Sequence, residues 1–339
     1  MSDELKQLVD DLGRRSLEKR LGHRRLPEVL DDALWTNLEA TGLSRLTAAQ
    51  GAGPVEAAIV LTGLARHCAA VPIAETDLLA AWLADAAGLT VPGTGPLTVA
   101  LADAEERDGR ITGTARDVPW PEATVVLAAR TADRLRLTVV DDPRIAEGHN
   151  LAGEPRGSFS FDMAAEDFLT VESSMADELS RRGAWARCQQ MIGALDAARD
   201  LTVAHTGERV QFGQPLRKFQ AVQHSLAAIA GEIERARAAA TLAVAAAFNY
   251  GFNHATTDYA VTVAKVAVGR AVGPVTTIAH QLHGAIGVTI EHRLWLATMR
   301  ARSWVGEFGT TGHYARRLGR MALAADDPWD IVVSCPAPR

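Results

Sequence analysis

The chain has 339 residues, of which 47% are hydrophobic, 22% charged and only 5% aromatic, with a formal net charge of −6. That length implies two or three packed subdomains, and the composition excludes wholesale disorder. The acidic balance leaves no basic face for nucleic acid, and the local cluster Arg316, Arg317 and Arg320 reads as a solvated helix face.

Helical readings dominate the first segment, residues 1–88. Leu5, Leu8, Val9 and Leu12 recur at helical spacing, and Leu30, Leu34, Leu38 and Leu43 continue the pattern beside Trp35. Pro54 suits a first helical turn ahead of Val55, Ala58 and Val60. Thr76 is placed to cap a helix carrying Leu78, Leu79 and Trp82. The N-terminal run MSDELKQLVDDL is charged and amphipathic, unlike a signal peptide.

Residues 89–171 change character to short β-branched runs between Gly and Pro turns. Leu97–Leu101, Val125–Ala129, Leu135–Val140 and Phe159–Phe161 read as strands, with Asp108-Gly109 as a hairpin-type turn. From residue 172 to 339 the pattern is helical again. One long helix is expected from Met175 to His205, a second from near Pro215 to Asn249 and a third capped by Thr256 or Thr257 and ending near His280. A last pair is expected across Ile290 to Ala324. Short loops between these helices fit an antiparallel four-helix bundle. The expected fold is mainly α with a small middle β-domain, and abundant alanine with few aromatics suits close helix packing.

Cys68, Cys188 and Cys335 lie far apart with no CxxC, so neither a disulfide framework nor a zinc site is expected, and a reducing, cytoplasmic setting fits. The apolar stretches are broken by charges or turn residues before membrane-spanning length, so no membrane partner is expected.

Two strings carry a resemblance. Glu208-Arg-Val-Gln-Phe-Gly-Gln-Pro-Leu216, followed by Phe219-Gln-Ala-Val-Gln-His224, resembles the acyl-CoA dehydrogenase signature between the first two bundle helices. Gln281-Leu-His-Gly-Ala-Ile-Gly-Val-Thr-Ile-Glu291 is similar to that family's QxxGGxG turn, with Ala285 where most members have glycine. The two stand in family order, and the helical, β, helical sequence of segments agrees. The resemblance implies an acyl-CoA dehydrogenase fold with a truncated β-domain, an acyl-CoA substrate and FAD as cofactor. It also implies that Arg209, Gln281 and Gly284 reach the flavin of a neighbouring subunit and that Gln211 and Phe212 line the same crossing. In physical terms, Arg209 offers a forked cation for phosphate, and the Gly284 and Gly287 turn exposes backbone N–H groups.

Removing the α-proton of a thioester requires a carboxylate within reach. The resemblance places that base in a YEGT-like segment or on the first bundle helix. Setting Phe308 on the aromatic residue puts Gly309 at the first place, and counting back from Phe212 puts Gly183, followed by Ala184, at the second. None of these accepts a proton. Glu307 is a nearby carboxylate, but two residues on a helix turn it about 200° away; Asp177 and Glu178 lie upstream of Gly183. The β-domain shows no GSD and no WIT strand, and Trp120, in a Val-Pro-Trp-Pro turn, reads as a packing residue. His224, His280 and His283 lie in or near the strings, with His283 as the cofactor candidate.

These residues leave three readings open. The first is the base-lacking subunit of a heteromeric dehydrogenase, similar to those of bacterial steroid side-chain breakdown, in a heterotetramer with a glutamate-bearing subunit. The second is a homomeric enzyme with Glu307 as a relocated base. The third is a cofactor-free structural or regulatory member of the fold.

Overall fold

A computed structural model describes residues 2–21, 26–48, 52–141, 143–289 and 292–333. Helices α1 (Ser2–Leu21), α2 (Asp32–Ala40) and α3 (Pro54–Arg66) are followed by a π-helical stretch, Ala74–Ala81, that runs into α4 (Trp82–Ala87). Seven strands come next: β1 (Leu97–Arg107), β2 (Arg110–Pro119), β3 (Thr124–Arg130), β4 (Arg134–Val140), β5 (Ala146–His149), β6 (Pro155–Ala164) and β7 (Leu169–Glu172). The long helix α5 (Ser174–Glu208) leads through a small hairpin, β8 (Val210–Gln211) and β9 (Gln214–Pro215), to α6 (Gln220–Tyr250) and α7 (Ala255–His283). Helices α8 (Arg293–Trp304), α9 (Thr311–Ala324) and α10 (Asp330–Val333) complete the described chain. The fold is mainly α with one small β-domain and a C-terminal helical bundle, as expected.

The chain packs as two compact units. One comprises Met1–Gly22, Pro54–Ala69 and Ala184–Arg339; the other comprises His23–Gly53 and Ala70–Gly183.

The second unit holds a seven-stranded sheet in the order β5-β6-β2-β1-β3-β4-β7. β1 and β3 run parallel, from Leu97 opposite Thr124 to Asp103 opposite Arg130, and the other pairings are antiparallel. All four expected strands lie within β1, β3, β4 and β6. The turn Asp108-Gly109 has φ of +50° and +71°, the doubly positive pair that a two-residue hairpin needs. It joins β1 to β2, a strand the sequence reading passed over because Gly113, Arg116 and Asp117 dilute its apolar signal. Ile111, Ala115 and Val118 nevertheless alternate inward and meet Leu127, Phe159 and Phe161 in the core. Trp120 is buried and packs, as expected.

Thr76 does not cap a helix. It sits inside the π-helical stretch, where its hydroxyl donates to Leu97 O (2.9 Å) and accepts from Leu97 N (3.0 Å), tying that stretch to the start of β1. A distant backbone partner has displaced the local capping role that the residue type suggested.

In the first unit the bundle core is rich in alanine: Ala194, Ala236, Ala243, Ala264, Ala271 and Ala297 are all buried. Small side chains let helix axes approach, and Gly193 shows how far. A Cβ there would stand 2.1 Å from Thr62 O, so α5 and α3 touch backbone to side-chain position. Two expected boundaries move. α6 begins at Gln220, since Pro215 pairs with Val210 in the small hairpin. α7 is capped by His254, whose Nδ1 accepts from Thr256 N at 3.1 Å, while the Thr257 hydroxyl donates to Gly251 O at 2.7 Å. It ends one turn late, at His283. The segment Ala255–Val288 also corrects the reading that no stretch reaches membrane-spanning length: its length and mean hydropathy of 1.2 suffice, but half of its apolar window is buried in the protein, as in a bundle's core helix. Cys68 and Cys188 are buried and form no disulfide among the described residues, and Cys335 lies outside them.

Candidate functional site

α5 ends at Glu208, and the Arg209 N–H still donates to His205 O at 2.9 Å, so the hairpin leaves directly from the last helical turn. Val210 opposite Pro215 and Gln211 opposite Gln214 close it. Phe212 and Gly213 form its tip with φ of +50° and +80°. Arg209 and Gln211 are exposed, and Phe212 is 93% exposed, its ring edge-on to Phe219 at 6.2 Å. A phenyl ring held this far out on a braced turn presents apolar surface to a second body.

At the end of α7, Gln281 is exposed and His283 is 6% exposed. Gly284, with φ of +65°, closes the helix through its N–H to His280 O, and a short 3₁₀ turn runs from it to Val288. Ala285 is exposed in that turn. The His283 Nδ1–H donates to Ala279 O at 2.8 Å, which leaves Nε2 as an acceptor; it is buried and has no hydrogen-bond partner among the described residues. Burial pushes the His283 imidazolium down to about 4, with His205, His292 and His280 acting the same way.

The structure brings the two strings together. The rings of His205 and His283 stack at 4.4 Å, and His292 meets them edge-on at 6.5 and 4.9 Å. Neither His205 nor His292 belongs to the quoted motif positions. His205 precedes Arg209 by one helical turn, so helical periodicity alone put it on the same face. His292 follows the second string, where its Nδ1 accepts from Leu294 N and caps α8. His224 is exposed, and His280 Nε2 bonds the Thr298 hydroxyl at 2.8 Å. A forked guanidinium, exposed amides, a glycine that frees backbone N–H groups and an orphaned imidazole nitrogen form a donor and acceptor set that fits a pyrophosphate-linked dinucleotide such as FAD.

The segment around Gly309, where the sequence resemblance places a base position, is a packed knot. Gly309 has φ of +103°, and a Cβ on it would stand 2.8 Å from Tyr314 Cε2. Aligning the Gly-Thr of the YEGT pattern with Gly309-Thr310 instead puts Phe308 at the base position; in either register no carboxylate stands there. Glu307 lies in the turn between α8 and α9, not on a helix, so helical rotation is not what disables it. Its carboxylate accepts from Arg187 Nε at 2.6 Å, with Arg187 only 2% exposed and its Nη1 bonded to Gln190 at 2.5 Å. Lys265 is buried as well; its ammonium donates to Glu307 O (2.8 Å) and Val305 O (3.2 Å), and burial lowers its pKa. The Tyr314 hydroxyl donates to Phe308 O at 2.8 Å. Arg187, Lys265 and Tyr314 thus clamp the segment from three helices. No motif announced Arg187 or Lys265, because their partners lie 120 and 42 residues away. Near the other place, Gly183 is buried on α5, Asp177 is exposed and Glu178 pairs with Arg182 at 2.9 Å.

The family profile described as "Acyl-CoA dehydrogenase, C-terminal domain" matches residues 177–323. Acyl-CoA dehydrogenase IpdE2 of Mycobacterium tuberculosis is 30% identical over 301 residues, covering 85% of this chain and 86% of that protein. The chain belongs to the acyl-CoA dehydrogenase family. IpdE2 of Mycolicibacterium smegmatis is 29% identical over 314 residues, 90% of each chain. Among solved structures of the fold, a chain of the ChsE4-ChsE5 complex from Mycobacterium tuberculosis superposes with a TM-score of 0.83 at 22% identity, covering 96% of this chain and 97% of that one. A chain of the Tcur3481-Tcur3483 steroid ACAD superposes with a TM-score of 0.81 at 25% identity, covering 95% and 99%. Membership of this dehydrogenase family makes the absence of a carboxylate at Gly309 and Gly183 the feature that needs a functional account.

Proposed function

We propose that this chain is the base-lacking subunit of a heteromeric, FAD-dependent acyl-CoA dehydrogenase. It works with a glutamate-bearing subunit, two copies of each forming a heterotetramer, on a CoA thioester with a bulky, steroid-derived acyl group. The observation that carries the reading is an asymmetry within the bundle. Arg209, Gln211, Phe212, Gln281 and Gly284, suited to a flavin, stand exposed, while the Glu307 carboxylate beside the proposed base position is locked by the buried Arg187. The steroid acyl group is supported by likeness to a steroid ACAD, and the heteromeric assembly by the two different chains named in both structural relatives above.

In this reading Arg209 neutralises a phosphate, and Gln281 with the N–H groups after Gly284 orients the dinucleotide. Phe212 covers an aromatic face and excludes water. Held by Arg209, Gln281 and the N–H groups after Gly284, FAD would supply the two-electron oxidation of the acyl Cα–Cβ bond, and the partner subunit's carboxylate would take the α-proton. The Glu307 carboxylate, bonded to Arg187, is structural.

The visible absorbance of the chain, purified alone and again after co-expression with a glutamate-bearing acyl-CoA dehydrogenase of the same organism, tests the proposal. A colourless lone chain and a yellow pair that bleaches with a steroid acyl-CoA is the expected result. A lone chain that carries flavin and bleaches with an acyl-CoA overturns it.

A further inference from the structure

Beyond the apolar cluster of Ala198, Ala279 and Leu294 that packs α5, α7 and α8 together, the last contact before the two motif strings is a stack of imidazoles. His205 stands on the last turn of α5, immediately before the hairpin that carries Arg209 and Phe212. His283 is the last residue of α7, immediately before the turn that carries Gly284. Their centroids lie 4.4 Å apart with planes 19° from parallel, and His292, the cap of α8, closes the third side at 4.9 Å from His283. Two neutral rings in this geometry attract; two imidazolium rings repel.

We infer that His205 is a positioning residue: its stack on His283 latches the hairpin after α5 against the turn after α7, and protonation of the imidazole cluster opens the latch. That the latch serves one flavin rests on the function proposed above; the latch itself does not. Three features fit a device held in the neutral state. Burial, and then the Arg209 guanidinium, lower the His205 pKa, against a smaller opposing effect of Glu208. Burial takes His283 to about 4. Finally, among the described residues the charged and titratable groups that act on the two rings are Arg209, His280 and His292, with Glu208 as an opposing acid on His205.

The sign follows from linkage. A histidine whose folded pKa is depressed is fully stabilising above its unfolded value of about 6.5, and its contribution falls as pH drops below that value towards the folded one. For His283 the opening equilibrium of the latch therefore rises about tenfold for each pH unit below about 6.5.

Hydrogen–deuterium exchange on the full chain without flavin, corrected for intrinsic rates and compared at about pH 8 and about pH 5.5, reads this directly in residues 209–219 and 281–289. In the wild type, protection of both segments is expected to fall about tenfold between the two conditions. His283→Phe keeps a ring that cannot be protonated and is expected to lose none. At about pH 8, His205→Ala is expected to be open in both segments and His205→Phe to stay closed. Wild-type protection that is unchanged by acid, or a His205→Ala chain as protected as the wild type, overturns the latch. Because the readout needs neither flavin nor partner, a colourless co-expressed pair counts against the proposed function and leaves this result standing.

Discussion

Replacing Glu307 by Gln separates a structural carboxylate from a catalytic one. The substitution keeps shape and one acceptor but removes the charge opposite Arg187, whose guanidinium is 2% exposed. Breaking a buried ion pair by deleting one partner costs about 3–5 kcal/mol. Here the Glu307 side chain is 21% exposed, the Gln amide oxygen still accepts a hydrogen bond, and Gln190 still holds Arg187. These reduce the expected cost to about 2–3 kcal/mol. With a denaturant slope of about 3 kcal/mol per molar urea, the midpoint followed by far-ultraviolet circular dichroism falls by about 0.7–1 M. Arg187→Met together with Glu307→Gln removes both charges, and the double variant should recover about 2 kcal/mol relative to the sum of the single changes. In the co-expressed complex, assayed without denaturant, Glu307→Gln should keep kcat within about twofold, whereas removing a general base costs about 10²–10⁴-fold. An unmoved urea midpoint with a hundredfold or greater loss of kcat would refute the reasoning and make Glu307 the base.

Phe212→Ala should leave the lone chain's stability within about 0.5 kcal/mol, because the ring is 93% exposed. The same change should weaken association with the flavin-bearing partner by about tenfold or more, read by analytical ultracentrifugation. Gly309→Ala should lower the stability of the chain, measured by urea unfolding, by about 1–3 kcal/mol, since φ of +103° and the Tyr314 ring both oppose a Cβ. For the same reason Gly309→Glu should add no dehydrogenase activity to the co-expressed complex, assayed by flavin bleaching. Asp77 is buried beside Thr47, and burial raises its carboxyl to about 6 despite hydrogen bonds from the Thr47 N–H and hydroxyl. Its folded value lies above its unfolded one, so its charge opposes folding: stability falls as pH rises from about 4 through about 6 and stays low above that. Asp77→Asn should therefore raise stability at about pH 8 by up to about 2–3 kcal/mol and change little at about pH 4, measured by urea unfolding at both.

Helical periodicity, turn chemistry and the two strings were enough to reveal the element order, most of the strands, the Asp108-Gly109 hairpin and the family resemblance. Each is a local property: a helix face repeats every three or four residues, and a doubly positive φ turn selects its own residue types. The absence of a carboxylate at Gly309 and Gly183 was likewise legible, because it needed only a count along the chain. What the sequence could not decide was the fate of groups with several possible partners. Thr76 has the chemistry of a cap but bonds Leu97, and Pro215 has the chemistry of a helix start but pairs in a strand. Glu307 has the chemistry of a base and is held by Arg187 from 120 residues away. His205 looked like one more helical residue until α7 set His283 against it. A side chain's type determines which bonds it can make, but which one it does make depends on what the folded chain brings within about 3 Å of it, and that distance is set by tertiary packing.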